Sequence, residues 1–156
     1  MSAIANGDLP DPNLTVLSTR LIDAPREEVF AAYVERDKII RWWGPKGFKN
    51  DFQVFEPKTG GEWKFVMIGP DGTEYKNHSG FVEVVPNERI VYHHQSGPVY
   101  VGTVTFADEA NKTRLNFRMD FEAAGFIEKM RDFIVNANEE NFDRLETVLG
   151  LRDSPN

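Results

Sequence analysis

A one-sided strand that runs almost directly into a long one-sided helix constrains this chain more than anything else in it. Over Thr113–Phe121, Leu115, Phe117, Met119 and Phe121 alternate with Arg114, Asn116, Arg118 and Asp120, so one face is apolar and the other wet. Gly125–Gly150 then changes period: at about 100° per residue Phe126, Met130, Phe133, Ile134, Ala137, Leu145 and Val148 share a face. Glu128, Arg131, Asp132, Glu139, Glu140 and Asp143 fall opposite or at its edges. A sheet with one apolar face needs a cover, and this single amphipathic helix, stopped at Gly150, supplies it.

Upstream of that pair the punctuation is dense. Leu14–Ile22 reads as a strand, and Trp63, Phe65 and Met67 alternate with Glu62 and Lys64 in a second one-sided strand. Gly60-Gly61, Gly69-Pro70-Asp71-Gly72, Pro86-Asn87-Glu88, Gly97-Pro98 and Asp108–Asn111 mark turns between strands in series, which implies an antiparallel sheet. Between the first strand and the rest, Asp23–Phe48 carries two short helices. Pro25 suits the first helical position, with Glu27 and Glu28 in the turn that favours negative charge. Val29, Phe30 and Tyr33 follow at helical spacing. After the polar break Glu35-Arg36-Asp37 come Ile39, Ile40, Trp42 and Trp43, stopped by Gly44-Pro45. The economical arrangement is α+β: a strongly curved antiparallel sheet wrapped around one long C-terminal helix, with two short helices after the first strand.

At 156 residues the chain fits one domain over residues 14–151, preceded by a polar, non-periodic tail over residues 1–13. The absence of cysteine excludes a disulfide framework, a thiol nucleophile and thiolate metal sites. A net charge of −7 without a basic patch opposes nucleic acid and anionic membrane, and no apolar run approaches the ~20 residues that span a bilayer. No targeting signal is evident, and a cytoplasmic monomer or homodimer is expected.

From about Thr15 to Leu149 the chain resembles the stand-alone bacterial domains similar to the C-terminal domain of the chaperone-ATPase activators. These are a branch of the START/SRPBCC superfamily that includes the birch-pollen allergen and polyketide cyclases. The blocks that carry the resemblance are Asp23-Ala24-Pro25, Trp42-Trp43-Gly44-Pro45 with Gly47-Phe48, Gly60-Gly61-Glu62-Trp63 with Phe65, Gly69-Pro70-Asp71-Gly72, Glu88-Arg89-Ile90-Val91-Tyr92, and Thr113-Arg114-Leu115. The resemblance implies a helix-grip fold with a cavity between the long helix and the sheet that holds apolar or amphipathic small molecules. It carries no shared catalytic motif.

Twelve Phe, three Trp and four Tyr give such a cavity its expected walls, or else interdigitate as core. The expected lining is Trp63, Phe65 and Met67 from one strand, Phe117, Met119 and Phe121 from another, and Tyr75, Tyr92 and His94 from the hairpin between them. The long helix adds Met130, Phe133 and Asn141, and the tryptophan turn adds Trp43 and Phe48. Adjacent Trp42 and Trp43 cannot face one direction, and nearness to Gly44-Pro45 assigns Trp43 to the mouth. Asn141, near the centre of the helix's apolar face with Asn138 at its margin, is either a polar anchor for a ligand or is bonded to a carbonyl or water. Parity with Ile90 and Tyr92 turns His94 inward, where it acts as a base, orients a ligand, or is simply hydrogen-bonded.

No metal-ligand spacing and no phosphate loop or nucleophile motif is present, so neither metal nor cofactor is expected, and catalytic residues stay unassigned. The expected function is binding of a small hydrophobic or amphipathic ligand. The alternatives are a cyclase-, hydratase- or isomerase-type enzyme in the same cavity, using His94, Tyr75 or Tyr92, and a co-chaperone or surface-interaction module. Against the co-chaperone stands the expected lack of the N-terminal module that the chaperone activators carry.

Overall fold

The computed structural model describes residues 10–153. The expected N-terminal tail therefore lies largely outside the described residues, and Asp11 already belongs to a turn, its carbonyl accepting from Leu14 and Thr15. β1 (Thr15–Ile22) leads into α1 (Arg26–Val34) and α2 (Arg36–Trp42). Then come β2 (Lys49–Phe55), β3 (Glu62–Ile68), β4 (Glu74–Val85), β5 (Arg89–His94), β6 (Tyr100–Glu109) and β7 (Lys112–Phe121), and last α3 (Ala124–Val148). The strands form one antiparallel sheet in the order β1-β7-β6-β5-β4-β3-β2, a meander from β2 to β7 with β1 brought back to the edge beside β7.

The expected α+β architecture is present, with α3 packed against the sheet and the two short helices following β1. Pro25 stands one position earlier than expected: its ψ of 151° is extended, so it is the cap, and its carbonyl accepts from Glu28 and Val29. Glu35 ends α1 and begins α2, which is why the polar break separates two helices instead of bending one. Just past the end of α3 and its cap residue Leu149, Gly150 takes φ +79°, where Leu151 N–H reaches the Glu146 carbonyl and Gly150 N–H reaches the Thr147 carbonyl. That pair of bonds satisfies carbonyls the helix would otherwise leave open.

The sheet curves because two strands carry an extra residue. Gln53 in β2 and Val82 in β4 are skipped in the pairing registers, and each bulge bends its strand. Gly61 permits the β2–β3 turn, since a Cβ there would lie 1.9 Å from the Glu56 carbonyl oxygen. On one flank of the concave face α1 packs through Phe30 and Tyr33 onto Phe106, at 5.4 and 5.2 Å between ring centres. Trp42 is sealed beneath them with its Nε1–H on the Ala32 carbonyl.

α3 is rolled relative to the face read from periodicity. Its most buried residues are Ile127, Ile134, Asn138, Phe142 and Leu145, so Phe142 and Ile127 take core positions, while Phe133 is 62% exposed. Two arginines set this roll. Arg20 of β1 binds Glu139, Asp143 and Glu146 at 2.7–2.9 Å and lies over the Phe142 ring. From the helix itself, Arg144 donates to the carbonyls of Arg41, Gly44, Pro45 and Phe48 at 2.9–3.0 Å.

A candidate ligand cavity between the long helix and the sheet

Where the sheet curls away from α3, a cavity of about 520 Å³ is left between them. Its floor follows from strand register. Trp63 of β3 faces Ser79 of β4, Ser79 faces His94 of β5, His94 faces Tyr100 of β6, and Tyr100 faces Phe121 of β7. Directly paired residues share a face, so these five form one row across the concave side. A neighbouring row runs Phe81–Tyr92–Gly102–Met119. Gly102 is required there: a Cβ would stand 2.5 Å from the Tyr92 ring, which passes over the bare backbone and brings its hydroxyl 2.9 Å from that of Tyr100.

Of the residues expected to line a cavity, twelve border this one. Trp63, Phe65 and Met67 come from β3, Tyr75 from β4, Tyr92 and His94 from β5, and Phe117 and Met119 from β7. Trp43 and Phe48 reach it from the tryptophan turn, and Phe133 and Asn141 from α3. Phe121 and Met130 do not border it. The Phe121 ring is occupied between Tyr100 and Phe126, at 5.1 and 5.3 Å, and Met130 packs against the core because of the roll of α3. Trp42 and Trp43 are both buried; Trp43 packs on Trp63 at 4.9 Å, inside the domain and not at its rim. The rim falls to Phe133 and to Tyr75, which is 48% exposed and leans on Phe48.

The two asparagines exchange the roles expected of them. Asn138 is the buried one, at 7% exposure, and its amide donates to Ser18 Oγ at 3.1 Å. Asn141 is half-buried and donates to the Trp42 carbonyl at 2.7 Å, so it ties α3 to the tryptophan turn. Glu140 adds a bond from Lys46 N–H, and Arg144 completes the clamp. The walls contributed by Trp43, Gly44, Pro45 and Phe48 are thus held in place from α3.

His94 turns inward and is largely buried, stacked on Tyr100 at 4.9 Å. Nδ1 is 2.8 Å from the Pro98 carbonyl, which can only accept, so Nδ1 carries a hydrogen. Nε2 is 2.8 Å from Asn77 Oδ1 and 3.4 Å from Ser96 Oγ. The protonated ring donates to Asn77, and the neutral ring accepts from Ser96. Burial holds the imidazole below its ordinary range, with the bond to Pro98 opposing and His93 reinforcing the shift. Burial likewise pushes Tyr100 up to about 12 and Tyr92 well above the ordinary phenol value, so both remain protonated hydroxyls at neutral pH.

Sequence reasoning missed Tyr100, Ser79 and Asn77 as cavity residues. Tyr100 and Ser79 were discoverable from His94, because a register through the Pro86–Glu88 turn and the Gly97-Pro98 turn pairs His94 with both. Among the described residues no group of three or more His, Asp or Glu is placed to hold a metal ion. No helix of the described residues is long and apolar enough to cross a membrane.

The fold is shared with proteins of low sequence identity. A crystal structure of a protein from Nitrosomonas europaea matches with a TM-score of 0.83 at 21% identity, covering 90% of this chain and 97% of that one. A solution structure of a protein from Arthrobacter aurescens also gives 0.83, at 22% identity, with 94% and 92% covered. An AHSA1-like protein from Aeromonas hydrophila gives 0.74 at 18% identity, with 92% and 99% covered. No curated protein matches the sequence significantly. The family described as activator of Hsp90 ATPase homolog 1-like proteins matches residues 23–150, and with that span of the chain accounted for, the protein belongs to this family.

Proposed function

We propose that the protein binds a small hydrophobic or amphipathic molecule in the space between α3 and the concave face of the sheet. The observation that carries this reading is the cavity's size and walls: about 520 Å³, bordered by Trp43, Trp63, Phe65, Tyr92, Phe117 and Met119. Volumes of about 300–1,000 Å³ with apolar, ring-rich walls and a few polar groups are typical of small-molecule sites. A core meant only to pack would be close-packed, with few voids larger than a water molecule.

The test is a titration with an environment-sensitive anilinonaphthalene dye under folding conditions, following dye emission and emission from Trp43 and Trp63. Saturable binding with a change in tryptophan emission is expected. No binding to the folded protein removes the proposal. A second reading, an enzyme of the cyclase, hydratase or isomerase kind, is favoured by one observation, the buried His94 stacked on Tyr100 inside the same cavity.

A further inference from the structure

The polar inventory of the cavity is unbalanced. Trp63 and Ser79, both at most 2% exposed and both bordering the cavity, each keep a buried polar atom without a partner, Trp63 Nε1 and Ser79 Oγ. They stand side by side, directly paired across β3 and β4. Most of the cavity's other polar side chains are engaged. His94 uses both ring nitrogens, Asn138 is on Ser18, and Asn141 is on the Trp42 carbonyl. Tyr92 and Tyr100 share one hydrogen bond, which uses one of their two hydroxyl hydrogens. Buried polar groups left unpaired are uncommon and costly, and two adjacent ones in a ring-lined cavity imply an acceptor that arrives from outside the chain.

We propose that the bound molecule carries a neutral carbonyl oxygen on an apolar, aromatic-sized body, and that this oxygen is received by Trp63 Nε1–H and the Ser79 hydroxyl. A carbonyl oxygen has two lone pairs and matches two neighbouring donors. A carboxylate fits less well, because these two donors are neutral and the lysine that borders the cavity, Lys76, is solvent-exposed, and burying an anion away from a paired cation is expensive. A ligand hydroxyl fits less well because it brings a further donor to a place short of acceptors. The inference rests on the ligand-binding reading above and specifies its chemistry.

The experiment compares three probes of one shape by calorimetric titration: methyl naphthyl ketone, isopropenylnaphthalene, in which C=CH₂ replaces C=O, and naphthoate. The ketone should bind about tenfold or more tightly than the hydrocarbon, the ratio set by one to two well-placed buried hydrogen bonds. In Ser79→Ala and in Trp63→Phe that ratio should fall toward unity. Ser79→Ala removes a hydroxyl that has no partner in the free protein, so its melting temperature should be unchanged or raised, which separates a binding role from a structural one. Equal affinity for ketone and hydrocarbon overturns the inference and leaves the ligand-binding reading standing. Tightest binding of naphthoate overturns the neutral-carbonyl assignment. If none of the three binds, the ligand-binding reading fails and the inference fails with it.

Discussion

Arg144 is the residue whose loss should separate the cavity wall from the helix that holds it. Its guanidinium makes four hydrogen bonds of 2.9–3.0 Å to the carbonyls of Arg41, Gly44, Pro45 and Phe48, and a longer one to Trp43. No carboxylate among the described residues forms an ion pair with it, so its whole binding capacity is spent on the backbone of the tryptophan turn. In Arg144→Met the aliphatic stem survives and the carbonyls lose their donor. A bond from a charged group to a buried acceptor contributes about 1.5–3 kcal/mol, but this site is half-exposed and water recovers part of that. Counting roughly 0.7–1 kcal/mol for each of the four short bonds gives a loss of about 3 kcal/mol. For a domain of this size that lowers the melting temperature by roughly 6–12 °C. Thermal melting by circular dichroism reads the loss, and tryptophan emission should shift to the red as the Trp43 turn loosens. Arg144→Lys, with three donors and no planar fork, should fall in between. A drop below about 3 °C in Arg144→Met would mean that the carbonyls are equally well served by solvent and that the clamp does not hold the wall.

Three further outcomes follow from the packing and the titration. Gly102→Ala places a methyl 2.5 Å from the Tyr92 ring, so Tyr92 must move and its bond to Tyr100 must break; denaturant melts should show a loss of about 1–3 kcal/mol, and an unchanged midpoint would contradict the packing described. Leu145→Ala, at a fully buried position of α3, should cost about 2–5 kcal/mol in the same assay, and a cost under 1 kcal/mol would place the core elsewhere. His94 has a folded-state value below its unfolded 6.5, chiefly through burial, so the unfolded chain takes up the proton first as pH falls. Its contribution is therefore complete above pH 6.5 and is lost as pH drops through the lowered value; the stability difference between the wild type and His94→Gln should shrink from about pH 7.5 to pH 5.5, and a constant difference would refute the assignment.

Much of this architecture was legible because it rests on periodicity and turn chemistry. The alternation along β7 and the stop at Gly150 identify a one-sided sheet and its cover, and the register through the Pro86–Glu88 turn turns His94 inward. What periodicity cannot supply is the roll of a helix whose apolar stripe is wide. Arg20 on Glu139, Asp143 and Glu146, and Arg144 on the tryptophan turn, decide that roll, and these contacts join residues 96 to 126 positions apart in sequence. The same roll brings Asn138 into the core in place of Asn141 and carries Met130 away from the cavity. Phe121 stands off the cavity for a different reason: it faces the concave side as expected, but the rings of Tyr100 and Phe126 occupy it.

The central claim is that the space beneath α3 receives a ligand, and nuclear magnetic resonance tests it at the residues concerned. With a naphthyl ketone probe bound, intermolecular Overhauser contacts should reach the methyl groups of Met67, Met119 and Ile134, which border the cavity from three elements, and Met119→Trp should abolish them by filling the space. Contacts confined to the outward-facing Leu17 and Leu21 of β1, with the interior methyls unperturbed, would contradict the account and place any binding on the outer surface.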